Sequence, residues 1–69
     1  MIKGTVKWFS GQKGYGFIAP EDGSDDAFVH ISALQRAGLA GLDEGQKVEF
    51  ELTPGRNGKL AADNIRIIE

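Results

Sequence analysis

Between Lys47 and Thr53 apolar and polar side chains alternate without a break: Val48, Phe50 and Leu52 share one parity, Lys47, Glu49, Glu51 and Thr53 the other. Period two belongs to an extended strand with one face in a core and one in water. Strand-length runs bounded by turn residues recur on either side of it. Ile2 to Ser10 is rich in β-formers, and Gly11 with Gln12 turns it into a second strand at Tyr15 to Ala19, which predicts a hairpin. Pro20 ends that strand, and Glu21 to Asp26 is an acidic, solvated loop. A third strand is expected at Ala27 to Ile31. Ser32 with Gln35 three residues on fits a capping box, so a single helical turn at Ala33 to Arg36 is expected before Gly38 stops it. In the loop from Leu39 to Gln46, Leu39 and Leu42 are expected to plug a barrel end. Pro54-Gly55-Arg56-Asn57-Gly58 carries an Asn-Gly turn signal. In the last run Leu60 and Ala62 share one parity and Ile65 and Ile67 the other, which predicts a bulge near Asp63 and Asn64. Five short strands, one helical turn and no internal repeat predict an all-β fold: a small five-stranded antiparallel Greek-key barrel of the OB type.

A chain of 69 residues allows one domain, residues 1–69, and a thin core, since it buries only about 60% of its unfolded surface. It has no cysteine and one histidine, which excludes disulfides and a zinc site of ordinary ligand count, so no metal or cofactor is expected. No apolar run approaches a membrane span, and the first residues lack the regions of a signal peptide, so a cytoplasmic protein is expected. The net charge of −2 conceals segregation: residues 1–18 hold Lys3, Lys7 and Lys13 and no acid, whereas residues 19–51 hold eight acids against Arg36 and Lys47. Such a surface attracts phosphates locally and repels them elsewhere.

The basic segment is also the aromatic one. Trp8, Phe9, Tyr15, Phe17 and Phe28 are five of the six aromatic residues, with Lys7 and Lys13 among them. Bases stack on aromatic faces whatever their sequence, at about 1 to 3 kcal/mol per base, while nearby cations follow the backbone. On extended strands Tyr15 and Phe17 share a side, as do Phe28 and His30. Val6 shares parity with Trp8 and Lys7 with Phe9, so Lys7, Trp8 and Phe9 reach one face only through a bend or bulge.

Lys7-Trp8-Phe9, the run Lys13-Gly14-Tyr15-Gly16-Phe17-Ile18 and Phe28-Val29-His30 followed by Ser32-Ala33 resemble the two ribonucleoprotein motifs of the bacterial cold-shock proteins. The resemblance extends over essentially the whole chain, through Leu42-Asp43-Glu44-Gly45-Gln46 and Ala61-Ala62-Asp63-Asn64-Ile65. It implies a five-stranded barrel that binds single-stranded RNA and DNA with little sequence preference, and a first strand that turns its tryptophan to the ligand. It suggests that Asp26 bonds an exposed base edge. Cold-shock proteins usually carry further phenylalanines where this chain has Ile31 and Leu39, so two stacking planes are missing and ligand past His30 is expected to be held loosely. The nucleic-acid-binding set is then Lys7, Trp8, Phe9, Lys13, Tyr15, Phe17, Asp26, Phe28, His30, Ile31, Leu39 and Arg56, in a monomer acting as a passive RNA chaperone in the cold-shock response or in gene-expression regulation.

Other readings explain less. Lys13 to Phe17 also fits an RNA-recognition motif, but that fold needs two full helices and the opposite motif order. An SH3-like peptide-binding barrel accounts for the rings but not for the lysines. Gly14 and Gly16 lack the third glycine and helix of a dinucleotide fingerprint, no phosphate loop is present, and no carboxylate is placed to orient His30 toward Ser32, so no enzyme is expected.

Overall fold

The computed structural model describes residues 1–54 and 60–68. Its elements run β1 (Ile2–Ser10), β2 (Tyr15–Pro20), β3 (Ala27–His30), α1 (Ile31–Arg36), β4 (Lys47–Pro54) and β5 (Leu60–Ile67). The strands close into a barrel in the order β1, β2, β3, β5, β4. Four neighbouring pairs are antiparallel; β3 and β5 run parallel, in register at Phe28 and Ala61. No hairpin joins those two strands, because α1 and β4 intervene in the chain, so turn chemistry does not oppose their directions. No helix among the described residues is long and apolar enough to cross a membrane.

β1 serves two neighbours, pairing Ile2 to Thr5 with β4 and Gly4 to Ser10 with β2. Gly4 lies where both ladders overlap. A Cβ there would stand 2.8 Å from the Ala19 carbonyl oxygen and 2.8 Å from Ile18 Cγ2, so the strand coils tightly only because the side chain is missing. Val6, Ile18, Val29, Leu34, Val48 and Phe50 fill the barrel and are fully enclosed. Leu42 joins this core, and Leu39 and Leu52 pack against it half-buried.

β5 carries the expected bulge. Its pairing with β4 passes from Glu51↔Asp63 to Glu49↔Arg66, so three steps on β5 face two on β4, and Asn64 takes a φ of 49°. That extra residue lets Ala62 and Ile65, of opposite parity, both point inward at 2% exposure. Leu60 and Ile67, at the two ends of β5, stay exposed.

Four boundaries differ from the sequence reading, one of them the end of β4, which takes in Pro54 opposite Leu60. Pro20 is the last residue of β2, opposite Gly4. β3 stops at His30, and Ile31 is already helical. The cap of α1 is therefore His30, two residues before Ser32: its Nδ1 accepts the Ser32 N–H at 3.1 Å. An imidazole nitrogen performs the acceptor role expected of the serine hydroxyl. At the other end Leu39 N–H donates to the Leu34 carbonyl and Gly38 N–H to that of Gln35, with Gly38 at φ 78°. This Schellman closure characteristically brings the residue after the glycine against the last turn, which accounts for Leu39 lying on the core.

Candidate nucleic-acid interface

The platform begins with an irregularity in β1. Its register against β2 passes from Val6↔Ile18 to Trp8↔Phe17, so Lys7 is an extra residue, and a bulge of this kind re-aims the side chains that follow it. Val6 stays inside while Lys7 and Trp8 both face outward, Trp8 at 37% exposure. Phe9 then returns inward and packs half-buried against the core. Gly16 makes room for it: a Cβ there would lie 2.7 Å from Phe9 Cα. The bulge thus brings two of Lys7, Trp8 and Phe9 to the outer face and leaves the third beneath it.

The neighbouring strands supply the other rings by register. Phe17 stands opposite Phe28 and Tyr15 opposite His30, so strands β1 to β3 carry a continuous outward aromatic surface. Trp8 lies 5.5 Å from both Tyr15 and Phe17 between ring centroids, Tyr15 5.6 Å from Phe28, Phe17 5.9 Å from Phe28, and Phe28 6.4 Å from His30. Most pairs are tilted or edge-to-face, the arrangement aromatic quadrupoles favour. Each ring is braced by its neighbours yet keeps part of its surface open, with Tyr15, Phe17 and Phe28 half-buried and His30 exposed. Contiguous exposed aromatic surface on a small domain marks a binding site more often than a packing accident.

Polar groups border the rings. Because His30 Nδ1 accepts from Ser32, its Nε2 carries the proton and is the ring's free donor. Lys7 Nζ bonds Asp26 Oδ2 at 2.9 Å. Lys13 has its backbone N–H on Ser10 Oγ and its side chain exposed in the β1–β2 turn. In the loop before β3, Asp22 accepts from the hydroxyl and the backbone N–H of Ser24, and these bonds hold its carboxyl below the ordinary value. The loop flanks an open depression of about 620 Å³ lined by Phe17, Ser24, Asp25, Asp26, Ala27, Phe28, Leu52 and Leu60.

Of the residues proposed from sequence, Trp8, Tyr15, Phe17, Phe28 and His30 form one surface, with Lys7 and Asp26 at its edge. Ile31 is half-buried beside Gly14, to whose carbonyl it donates its N–H at 2.9 Å. It lies outside the barrel core: the chain turns into α1 at the residue expected to end the third strand, and the alternation stops there. Leu39 and Phe9 pack against the core. Arg56 lies outside the described residues. Leu60, 54% exposed beside the rings, was missed: its parity was legible, but its proximity to Phe28 follows from the parallel β3–β5 contact, which leaves no local signal.

Similarity to known proteins covers nearly the whole chain. The 'Cold-shock' DNA-binding domain family matches residues 2–68. The cold shock-like protein CspE of Escherichia coli is 59% identical over 66 residues, covering 96% of this chain and 96% of its own length. A probable cold shock protein of Sinorhizobium fredii is 58% identical over 67 residues, with 96% of this chain and 97% of its own length covered. The cold shock protein CspA of Rhizobium meliloti is 54% identical over 67 residues with the same coverage.

Proposed function

The chain belongs to the 'Cold-shock' DNA-binding domain family, and we propose that it binds single-stranded RNA and DNA with little sequence preference by stacking unpaired bases on Trp8, Tyr15, Phe17, Phe28 and His30. The observation that carries this reading is the outward ring surface across β1, β2 and β3, with neighbouring centroids 5.5 to 6.4 Å apart. Bases buried in a duplex do not offer their faces to such a surface, and unpaired bases do. Lys7 and Lys13 steer the backbone, and the Nε2–H of His30 is a donor for a phosphate or a base edge. Ligand past His30 meets Ile31, which has apolar surface but no ring face.

Because binding selects the unpaired state, it draws paired RNA toward melting by mass action, without an energy source or a catalytic step. The role is that of a passive RNA chaperone in the cytoplasm, serving the cold-shock response or gene-expression regulation, and one copy of the surface suffices for it.

Trp8, the single tryptophan, reports binding directly. Titration with single-stranded and duplex oligonucleotides at two salt concentrations should change its fluorescence with single strands and much less with duplex, with weaker binding at the higher salt. No response to single strands, or equal affinity for duplex, would overturn the proposal.

A further inference from the structure

His30 stands at the end of the ring surface. Among the described rings it neighbours Phe28, at 6.4 Å, whereas Tyr15, Phe17 and Phe28 are braced by rings on more than one side. Its imidazole is exposed, so ring packing alone leaves it free to turn over. Its orientation comes instead from α1. Nδ1 lies 2.9 Å from Ser32 Oγ and accepts the Ser32 N–H at 3.1 Å. A ring nitrogen that accepts from an N–H carries no proton, so the hydroxyl donates to it as well, and both donors on that lone pair come from Ser32. Ser32 is itself anchored. It is half-buried, between Ala33 in the core and Ile31, whose N–H donates to the Gly14 carbonyl at 2.9 Å. Gly14 N–H donates in turn to the Ser10 carbonyl at 2.8 Å, so the start of α1 is tied to the β1–β2 turn.

Resting on the binding reading above, we propose that Ser32 is a positioning residue for the ligand: its hydroxyl holds the His30 ring in one tautomer and one orientation. Any residue but proline at position 32 supplies the backbone N–H, and that bond already serves the helix end. The hydroxyl is what serine adds, and it acts on the ring. With Nδ1 turned back toward α1, the imidazole presents its faces and its Nε2–H edge in a set pose beside Phe28. A side chain ordered beforehand has less freedom to lose when a ligand engages it. Ser32 therefore contributes to affinity through His30.

The test replaces the hydroxyl and keeps the backbone bond, with Ser32→Ala to remove it and Ser32→Thr to restore it. His30 is the single histidine, so the nitrogen-15 spectrum of its ring, taken at mildly alkaline pH where imidazoles are neutral, reads which nitrogen carries the proton. Wild type and Ser32→Thr should show a bare Nδ1 and a protonated Nε2, and in Ser32→Ala both signals should move toward the average of the two tautomers. Titration with single-stranded oligothymidylate, followed by Trp8 fluorescence, should find Ser32→Ala binding up to about tenfold more weakly, the cost of ordering one side chain at an interface. Ser32→Thr should bind close to wild type. In a His30→Ala background, Ser32→Ala should add nothing. Unaltered ring signals in Ser32→Ala would overturn the inference, as would altered signals with unaltered affinity. Weaker binding that persists in the His30→Ala background would overturn it in favour of direct contact between Ser32 and the ligand. Thermal melting of each variant separates a lost fold from a lost pose. A wild-type ring that already averages the two tautomers sinks the inference even if a variant fails to fold. A wild-type protein that binds no oligothymidylate refutes the binding reading and this inference together, whereas wild-type binding without a Ser32 effect refutes the inference alone.

Discussion

Phe28 faces out of β3 opposite Phe17, in contact with the rings of Tyr15 and His30 as well; Phe50 faces into the barrel and is fully enclosed. Truncating each therefore separates binding from folding. Phe17→Ala and Phe28→Ala should each weaken single-strand binding by about 1 to 3 kcal/mol, whereas Phe50→Ala should cost about 3 to 5 kcal/mol of stability, a large share for so small a core. Titration together with thermal melting checks both, and a Phe28 variant that binds normally but melts far earlier would reassign that ring to the core. Leu39 packs on the core, as expected of it, whereas Ile31 does not continue β3. Ile31 begins α1 outside the core, so Ile31→Phe adds a ring beyond His30 without overfilling the barrel. Leu39 lies on the core, where an added ring risks the typical overpacking cost of about 1 to 3 kcal/mol. Ile31→Phe should tighten binding to long oligonucleotides by at most about 1 to 3 kcal/mol and leave short ones little changed. A folded variant with no gain at any length would place the strand's path elsewhere.

Two elements owe their geometry to one residue each. β1 and β2 approach closely at Gly16, where an added Cβ would meet backbone atoms of Trp8 and Phe9, the Phe9 Cα at 2.7 Å. Backbone cannot rotate away as a side chain does, so Gly16→Ala should destabilise by at least the roughly 1 to 3 kcal/mol of an overpacked site and disturb the Trp8 environment, both visible in a fluorescence-detected melt. Between α1 and β5, Asp63 accepts the Asn64 N–H at 2.9 Å and Arg36 Nη2 at 3.1 Å, tying α1 to the β5 bulge. The backbone bond from Asn64 first, and Arg36 second, hold its carboxyl below the ordinary 3.8. A depressed carboxylate stabilises the fold fully above its unfolded value and loses that contribution as pH falls through the folded one. Asp63→Asn should accordingly melt earlier than wild type at neutral pH, and the gap should close as pH drops below 3.8. Melting curves at stepped pH measure it, and a gap unchanged into strong acid would mean that ionisation of Asp63 is not its source.

Over the whole molecule, a net charge of −2 does not count against the proposed binding, because the platform strand and its turn hold Lys7 and Lys13 while all ten acids follow Ala19. With Lys7, Lys13 and Arg56 as the candidate phosphate partners, the salt slope for single strands should not exceed about 2, at roughly 0.7 per contact. A markedly steeper slope would require further cations on the ligand's path. Much of this molecule is written locally. Alternation over Lys47 to Thr53 determined which face of β4 is buried, and the change of parity between Ala62 and Ile65 implied the β5 bulge. The shared parities of Tyr15 with Phe17 and of Phe28 with His30 brought those rings to one side, because a strand's pleat depends only on sequence neighbours. The parity conflict at Lys7, Trp8 and Phe9 signalled an irregularity, but not which ring would lose the outer face; the Gly16 gap against the core decided that for Phe9. Tertiary structure alone set the parallel β3–β5 contact that brings Leu60 beside Phe28, the reach of Lys7 across β2 to Asp26, and the early turn into α1 that leaves Ile31 outside. Each depends on which strands become neighbours when the barrel closes, a choice made by packing among residues far apart in the chain, to which local periodicity is blind.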